Sequence, residues 1–321
     1  MQPIAKPPLI WFDGRLIPWE HATIHVTAHA LHYGSSVFEG IRCYDGERGP
    51  AIFRLADHLE RLAFSARIYR LSMPCSLAEL TRACEEVLIA NEFSEAYLRP
   101  IVFRGAGGFG LRPKADHPVH AAVIAMPWGA YLGDEGLEHG IEVGVVSWQR
   151  FAPASVPAAA KAGGHYLNSQ LIVEEATRHG YAEGIALGRD GLLSEGSGEN
   201  LFLVYKGKLY TPPPAAAILI GITRDTVLTL ARELDIPVCE QALPRELLYA
   251  AEEVFLTGTA AEITPVRAVD GIPVGSGKPG PITRALQRRF FDLVRGRSED
   301  RHGWLHPLPT AAAVRKEAIA R

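Results

Sequence analysis

At 321 residues the chain is long enough for about two domains with sizeable cores. Its formal net charge is −3 with both signs dispersed, so it lacks the basic field that nucleic acid or an anionic membrane surface would need. The N-terminal MQPIAKPPLIWFDG has no apolar signal core, no apolar run nears the roughly 20 residues of a membrane span, and the four cysteines form no CxxC pair, so free thiols in a reducing cytoplasm are expected.

Residues 10–20 predict a hairpin, because apolar residues flank Asp13-Gly14. His21, His25, His29 and His32 follow at a spacing that invites a metal reading. Thr23–Thr27 alternates like a strand, however, and no carboxylate or cysteine in the segment completes a ligand set, so no metal is expected. A short strand over 51–54 leads into an amphipathic helix over 57–71 with Leu59, Leu62, Ala63, Ala66 and Tyr69 on one stripe. Ser76-x-x-Glu79 is a capping box that opens a second helix. Strands over 96–103 and 120–126 bracket Gly105-Ala106-Gly107-Gly108-Phe109-Gly110. This matches the dinucleotide pattern GxGxxG, but Pro113 and Pro118 follow where that motif needs a helix, so a loop is predicted. Trp128–Gly140 has a linker's composition. Beyond it come a strand over 141–148, a helix over 165–179 stopped at Gly180, and short strands over 184–187 and 201–204. A Pro/Ala-rich loop near 212–217 precedes a helix opened at Gly221-Ile222-Thr223 with Thr223 as N-cap. A strand over 253–256 runs into Thr257-Gly258-Thr259-Ala260, and a last helix starts at Pro281. Strands and helices interleave without a regular βαβ period, which predicts α+β layers.

Lys161 stands in Pro157–Leu171, between Ala158-Ala159-Ala160 and Ala162-Gly163-Gly164. Small neighbours leave room around an amine, and an amine shielded from water can form a Schiff base with a carbonyl. Taken alone, the stretch also reads as a surface lysine in an Ala/Gly loop. Three features elsewhere suit a phosphorylated aromatic carbonyl cofactor. Gly221-Ile222-Thr223 offers backbone N–H groups at a helix start. Gly258-Thr259-Ala260 offers donors after a strand. Glu195, in the glycine-rich SEGSGEN, offers a carboxylate that could keep a pyridine nitrogen protonated.

The runs KAGGHYLNSQLIVEEATRHGYAEGIAL, SEGSGENLF, TPP, GITRD and TGTAAEITPVR resemble the branched-chain-amino-acid aminotransferases of the class IV pyridoxal-phosphate family. So do HALHYGSSVFEGIRCY, HLERLAFSARIYR and PWGAYLG, and the match covers roughly residues 8–305 in order. The resemblance implies the two-domain α+β fold type IV. A small α/β domain would cover residues 1–128, a linker 129–138, and a larger domain with barrel-like β-structure 139–321, with pyridoxal 5'-phosphate between the domains. It implies Lys161 as the Schiff-base lysine and general acid/base, Glu195 on the pyridine nitrogen and Tyr166 on the phenolic oxygen. Arg61, Ile222, Thr223 and Thr259 would hold the phosphate. Tyr97, with Thr259 and Ala260, would hold the substrate α-carboxylate. Phe38, Trp128 and Tyr131 would line an apolar pocket kept open by Gly40, and Arg99 with Tyr33 would receive the distal carboxylate of glutamate. The implied reaction is transamination of leucine, isoleucine and valine with 2-oxoglutarate, in a cytoplasmic homodimer that acts on small molecules and engages neither nucleic acid nor membrane. A D-amino-acid or (R)-amine aminotransferase and an aminodeoxychorismate lyase share the lysine and the glutamate. The glycine-rich loop departs from the family pattern around Phe109, Arg104 and Arg112, which places any shift in substrate preference there.

Overall fold

The computed structural model describes residues 6–114, 117–129 and 132–309. The chain divides into two compact units. The first takes the chain up to Trp128, Lys161–Gly164 and the chain from Asp292; the second takes Gly129–Ala160 and His165–Phe291.

In the first unit, β1 (Leu9–Phe12) and β2 (Arg15–Pro18) form the expected hairpin. Asp13 and Gly14 both have positive φ, 44° and 91°, the backbone of a tight turn that follows the strands' twist. The Thr23–Thr27 alternation makes no strand. Ile24 and Val26 are exposed, no neighbouring strand pairs with them, and the segment runs as a loop into α1 (His29–Tyr33). Then come β3 (Ser36–Phe38), β4 (Ile41–Gly46), β5 (Gly49–Phe53), α2 (Leu55–Ile68), α3 (Leu77–Ala90), β6 (Ala96–Arg104) and β7 (Val119–Met126). The strands order as β5-β4-β6-β7-β1-β2, with β3 also on β6. Leu55, Leu59, Leu62 and Ala66 of α2 pack with Leu80, Ala83, Cys84, Val87 and Leu88 of α3 in one core beneath this sheet. These positions recur every three or four residues, which is why each helix turns one stripe inward. Ser76 caps α3 as predicted: its Oγ accepts the Glu79 N–H, and the Glu79 carboxylate accepts the Ser76 N–H at 2.7 Å.

The second unit begins with α4 (Asp134–His139), a short helix inside the stretch whose composition read as linker. It continues with β8 (Ile141–Val145), α5 (Tyr166–Arg178), β9 (Glu183–Leu187), β10 (Leu193–Gly196), β11 (Asn200–Tyr205), β12 (Lys208–Thr211), α6 (Ile222–Glu233), β13 (Val238–Glu240) and α7 (Leu247–Ala250). The closing elements are β14 (Glu253–Gly258), β15 (Glu262–Val269), β16 (Ile272–Pro273) and α8 (Pro281–Val294). Its sheet runs β10-β9-β8-β15-β14-β11-β12-β13 with β16 on β15, and it curls into half a barrel. Antiparallel and parallel pairs are mixed, β8 being parallel to both β9 and β15. Phe202 and Phe255, opposite each other on β11 and β14, stack at 5.0 Å in its core.

The final strand, β17 (Leu305–Pro307), lies antiparallel to β5 in the first sheet. The tail therefore leaves the second unit, where the expected 139–321 boundary put it, because Trp304 and β17 find their partners on Arg54 and β5.

Candidate active site

The first unit carries Lys161 by its backbone. Phe38 N–H donates to the Lys161 carbonyl at 3.1 Å, Lys161 N–H donates to Ser65 Oγ at 3.0 Å, and Val37 bridges Ala162. Gly163 after Lys161, and Gly34 beside Gly164, are small for a local reason. A Cβ on Gly163 would strike Ser36 Oγ, and one on Gly34 would sit 3.0 Å from the Gly164 Cα. The lysine is half-buried, with Nζ 5.2 Å from the Phe38 ring centroid. Arg99 approaches the same ring at 4.6 Å and the Tyr97 ring at 5.5 Å, while Tyr97 stacks on Trp128 at 5.0 Å. The Arg99 Nε is buried without a hydrogen-bond partner. Gly40 lies against Tyr97, and a Cβ there would occupy the space of the Tyr97 hydroxyl. Phe38, Gly40, Tyr97, Arg99, Trp128 and Lys161 thus form one aromatic, cation-edged face. Tyr33 bonds elsewhere: its hydroxyl accepts Gly110 N–H at 3.1 Å. Tyr131 lies outside the described residues.

Arg61 is bound by a carboxylate that the sequence did not single out. Its Nε donates to Glu39 Oε1 at 2.7 Å and its Nη2 to Oε2 at 2.8 Å, and His58 Nδ1 shares Oε2 at 2.7 Å. Burial pushes the Glu39 carboxyl up, but the Arg61 charge and the hydrogen bonds from Arg61 and His58 outweigh it and hold Glu39 well below the usual carboxylate range. His58 is pushed down by burial, so it is neutral and donates through Nδ1–H. The spacing of His58 and Arg61, three apart on α2, was the available signal.

In the second unit, Glu195 is on a strand and not in the turn where the glycines seemed to put it. Leu193 pairs with Leu187 and Gly196 with Ile185, so Ser194 and Glu195 together oppose the single residue Ala186. This β-bulge re-aims the side chain, and Glu195 is buried. Its Oε1 meets Arg150 Nη2 at 2.7 Å, and its Oε2 accepts Asn200 Nδ2 and Leu219 N–H, each at 3.0 Å. The turn just beyond is pinned by the fully buried Glu183, whose Oε2 accepts Ser197 Oγ at 2.9 Å. Burial raises the Glu183 pKa.

Helix α6 starts at Ile222 with Gly221 as N-cap and no side-chain cap, so Thr223 is its second residue and not the predicted cap. Glycine is needed at 221 because a Cβ would collide with Asn200 Oδ1, on the side chain that also holds Glu195. Thr259 and Ala260 lie in the turn joining β14 to β15. Earlier on β14, the Thr257 hydroxyl is buried without a partner. Tyr166 opens α5, directly after His165, whose ring burial and the Arg150 charge push down to about 4 against one backbone hydrogen bond at Ala160.

The other sequence candidates have structural partners. His29 bonds Ser35 Oγ and the Gly110 carbonyl, and His32 bonds the Val26 carbonyl. Among the described residues no group of His, Cys, Asp or Glu could hold a metal, and no helix is long and apolar enough to cross a membrane. The 105–110 glycines form a loop with no helix after it. Within it Phe109 is 72% exposed, while Arg104 Nη2 donates to the Arg70 carbonyl at 2.7 Å.

The family model for amino-transferase class IV matches residues 36–269, and the chain belongs to that family. Within it, the chain is similar to the branched-chain-amino-acid aminotransferase of Salmonella typhimurium, with 54% identity over 303 residues, 94% of this chain and 98% of that one. The crystal structure of the Escherichia coli branched-chain amino acid aminotransferase superposes with a TM-score of 0.94 at 54% identity, over 95% of this chain and 100% of that one. The branched-chain amino acid aminotransferase of Thermobaculum terrenum, solved in its PLP-form, superposes with a TM-score of 0.87 at 35% identity, over 95% of this chain and 99% of that one.

Proposed function

We propose that this chain transaminates branched-chain L-amino acids with 2-oxoglutarate and holds pyridoxal 5'-phosphate to do so. One observation carries the substrate reading. Phe38, Tyr97 and Trp128 make an aromatic surface with Lys161 at one edge and the Arg99 guanidinium against the same rings. The apolar surface suits leucine, isoleucine or valine. The guanidinium, with a buried Nε still to be satisfied, suits the second carboxylate of glutamate.

The residues present fit the cofactor. A 12-residue helix that starts without a side-chain cap suits a phosphate, and the partnerless Thr257 hydroxyl lies just before the Gly258-Thr259-Ala260 turn at the end of β14. Glu195 is a buried carboxylate already oriented by three donors. When bound, the cofactor supplies a carbonyl that captures the substrate amine and a ring that accepts electrons from its Cα.

The chain's residues do the rest. Lys161 Nζ would hold the cofactor at rest, take the proton from the substrate Cα and return it to the cofactor carbon on the other side of the amine nitrogen. Glu195 keeps the ring nitrogen protonated, and Tyr166 donates to the phenolic oxygen. Ile222, Thr223 and Thr259 hold the phosphate together with Arg61, whose guanidinium is oriented by Glu39. Tyr97, Thr259 and Ala260 hold the α-carboxylate. A second copy of this chain is the expected partner, and the proposed assembly is a homodimer.

The test is a half-reaction screen on the reconstituted protein. L-leucine, L-isoleucine, L-valine and L-glutamate should convert its visible absorption band. Conversion by D-alanine or an (R)-amine alone, or pyruvate release from aminodeoxychorismate, would overturn the reading.

A further inference from the structure

We propose that Arg150 is a positioning residue for Glu195: it fixes the direction and the negative charge with which that carboxylate meets the cofactor's ring nitrogen. The inference rests on the reading of Glu195 given under Proposed function. Arg150 lies in the segment after β8, a part of the chain with no motif, and is 7% exposed. It is held on several sides. Its N–H donates to the Leu187 carbonyl at 2.9 Å, its Nη1 to Asn168 Oδ1 at 3.0 Å, and its Cζ sits 4.3 Å from the Phe151 ring centroid. Asn168 is itself fixed through Nδ2 to the Gln149 carbonyl. An arginine restrained in this way presents Nη2 to Glu195 Oε1 at 2.7 Å, with both side chains 6% exposed.

The division of labour on the carboxylate follows from its donors. Oε2 takes the Asn200 amide and the Leu219 N–H, two hydrogen bonds from neutral groups. Oε1 is the oxygen that receives the charged donor, Arg150. Arg150 brings a full positive charge to Oε1, and in a dry environment such a pair sets charge as well as direction. The Arg150 Nε is buried without a hydrogen-bond partner, so the side chain holds this position at some cost to its own satisfaction.

A double-mutant cycle tests this, using R150Q, E195Q, the double variant and R150K, with pyridoxal phosphate dissociation read from its visible absorption. Arg150→Gln should weaken cofactor binding by about tenfold or more, and the same change on an E195Q background should alter it by less than about twofold. R150K, which keeps the charge, should recover part of the loss. Equal effects of R150Q on both backgrounds would overturn the proposal, as would an R150K no better than R150Q. If R150Q leaves Glu195 buried without its counter-charge and does not fold, E195Q against the double variant decides: equal affinities support the proposal and a further loss overturns it. A wild-type protein that takes up no cofactor would overturn the functional reading itself; intact wild-type binding with additive variants overturns the Arg150 role alone.

Discussion

Glu39 and Glu195 are both buried carboxylates held by an arginine, but they are built in different ways. Both Arg61 and His58, which hold the Glu39 side chain, come from the single helix α2 and lie three residues apart. Glu195 draws Arg150, Asn200 and Leu219 from three separate segments, and a bulge turns it towards them. The first cluster anchors a helix to the β3–β4 link: the Glu39 N–H also donates to the Pro100 carbonyl at 2.8 Å, so strand and helix are tied through one residue. The second is a convergence of segments far apart in the chain, which one neighbouring helix could not supply. In the first unit an arginine is oriented by an acid; in the second, an acid is oriented by an arginine.

The contrast can be broken most severely at Lys161. Lys161→Ala should lower turnover by about a thousandfold or more, since it removes the proposed proton-transfer group, while leaving the melting temperature near that of the wild-type apoprotein. Next comes Glu39→Ala, which leaves Arg61 and His58 buried without their acid. It should cost about 3–5 kcal/mol in urea unfolding, whereas the same measurement on Glu195→Gln should show a smaller loss with cofactor binding hit harder. Acid should act on the same cluster. The folded-state pKa of Glu39 is depressed, so its contribution is complete above the ordinary carboxylate value of 4.5 and declines as pH falls towards the folded value.

His165 sets a separate window. Its folded value of about 4 lies below its ordinary 6.5, so the neutral ring's contribution is complete above 6.5 and lost between there and about 4. His165→Gln should flatten the stability profile in that interval, in melting curves taken across it. Smallest of all should be Phe109→Ala. The ring is 72% exposed, so stability should move by no more than about 0.5 kcal/mol. Any effect should be in the ratio of leucine to aromatic substrates, and an unchanged ratio would remove this loop from the specificity machinery.

What the sequence made legible was its punctuation. The Asp13-Gly14 turn, the Ser76–Glu79 capping box and the Pro281 helix start are local rules, and the structure keeps them. Lys161 and Glu195 were legible as residue types in small-residue stretches. Their settings were not, because each depends on a distant partner. Glycine at 163 is required by Ser36, and glycine at 221 by Asn200. The bulge at Glu195 exists only relative to β9. Arg150 gave no signal, since nothing in Trp148-Gln149-Arg150 indicates that its guanidinium will meet a carboxylate 45 positions later. Thr23–Thr27 shows the converse: it alternates like a strand but has no neighbouring strand to pair with.

The pairing of β17 with β5 has a consequence for how the protein is made. Residues 51–53 leave the ribosome early, yet their partners are residues 305–307, so this sheet edge stays open while the whole second unit is synthesised. At about 5–20 residues per second that interval lasts on the order of ten seconds or more. Throughout it β5 is an exposed strand edge bordered by Ile52 and Phe53, a template for unwanted pairing. The nascent chain is therefore most in need of a chaperone during the period when its second half is being made, and the emergence of residues 305–307 is the step that closes the first unit.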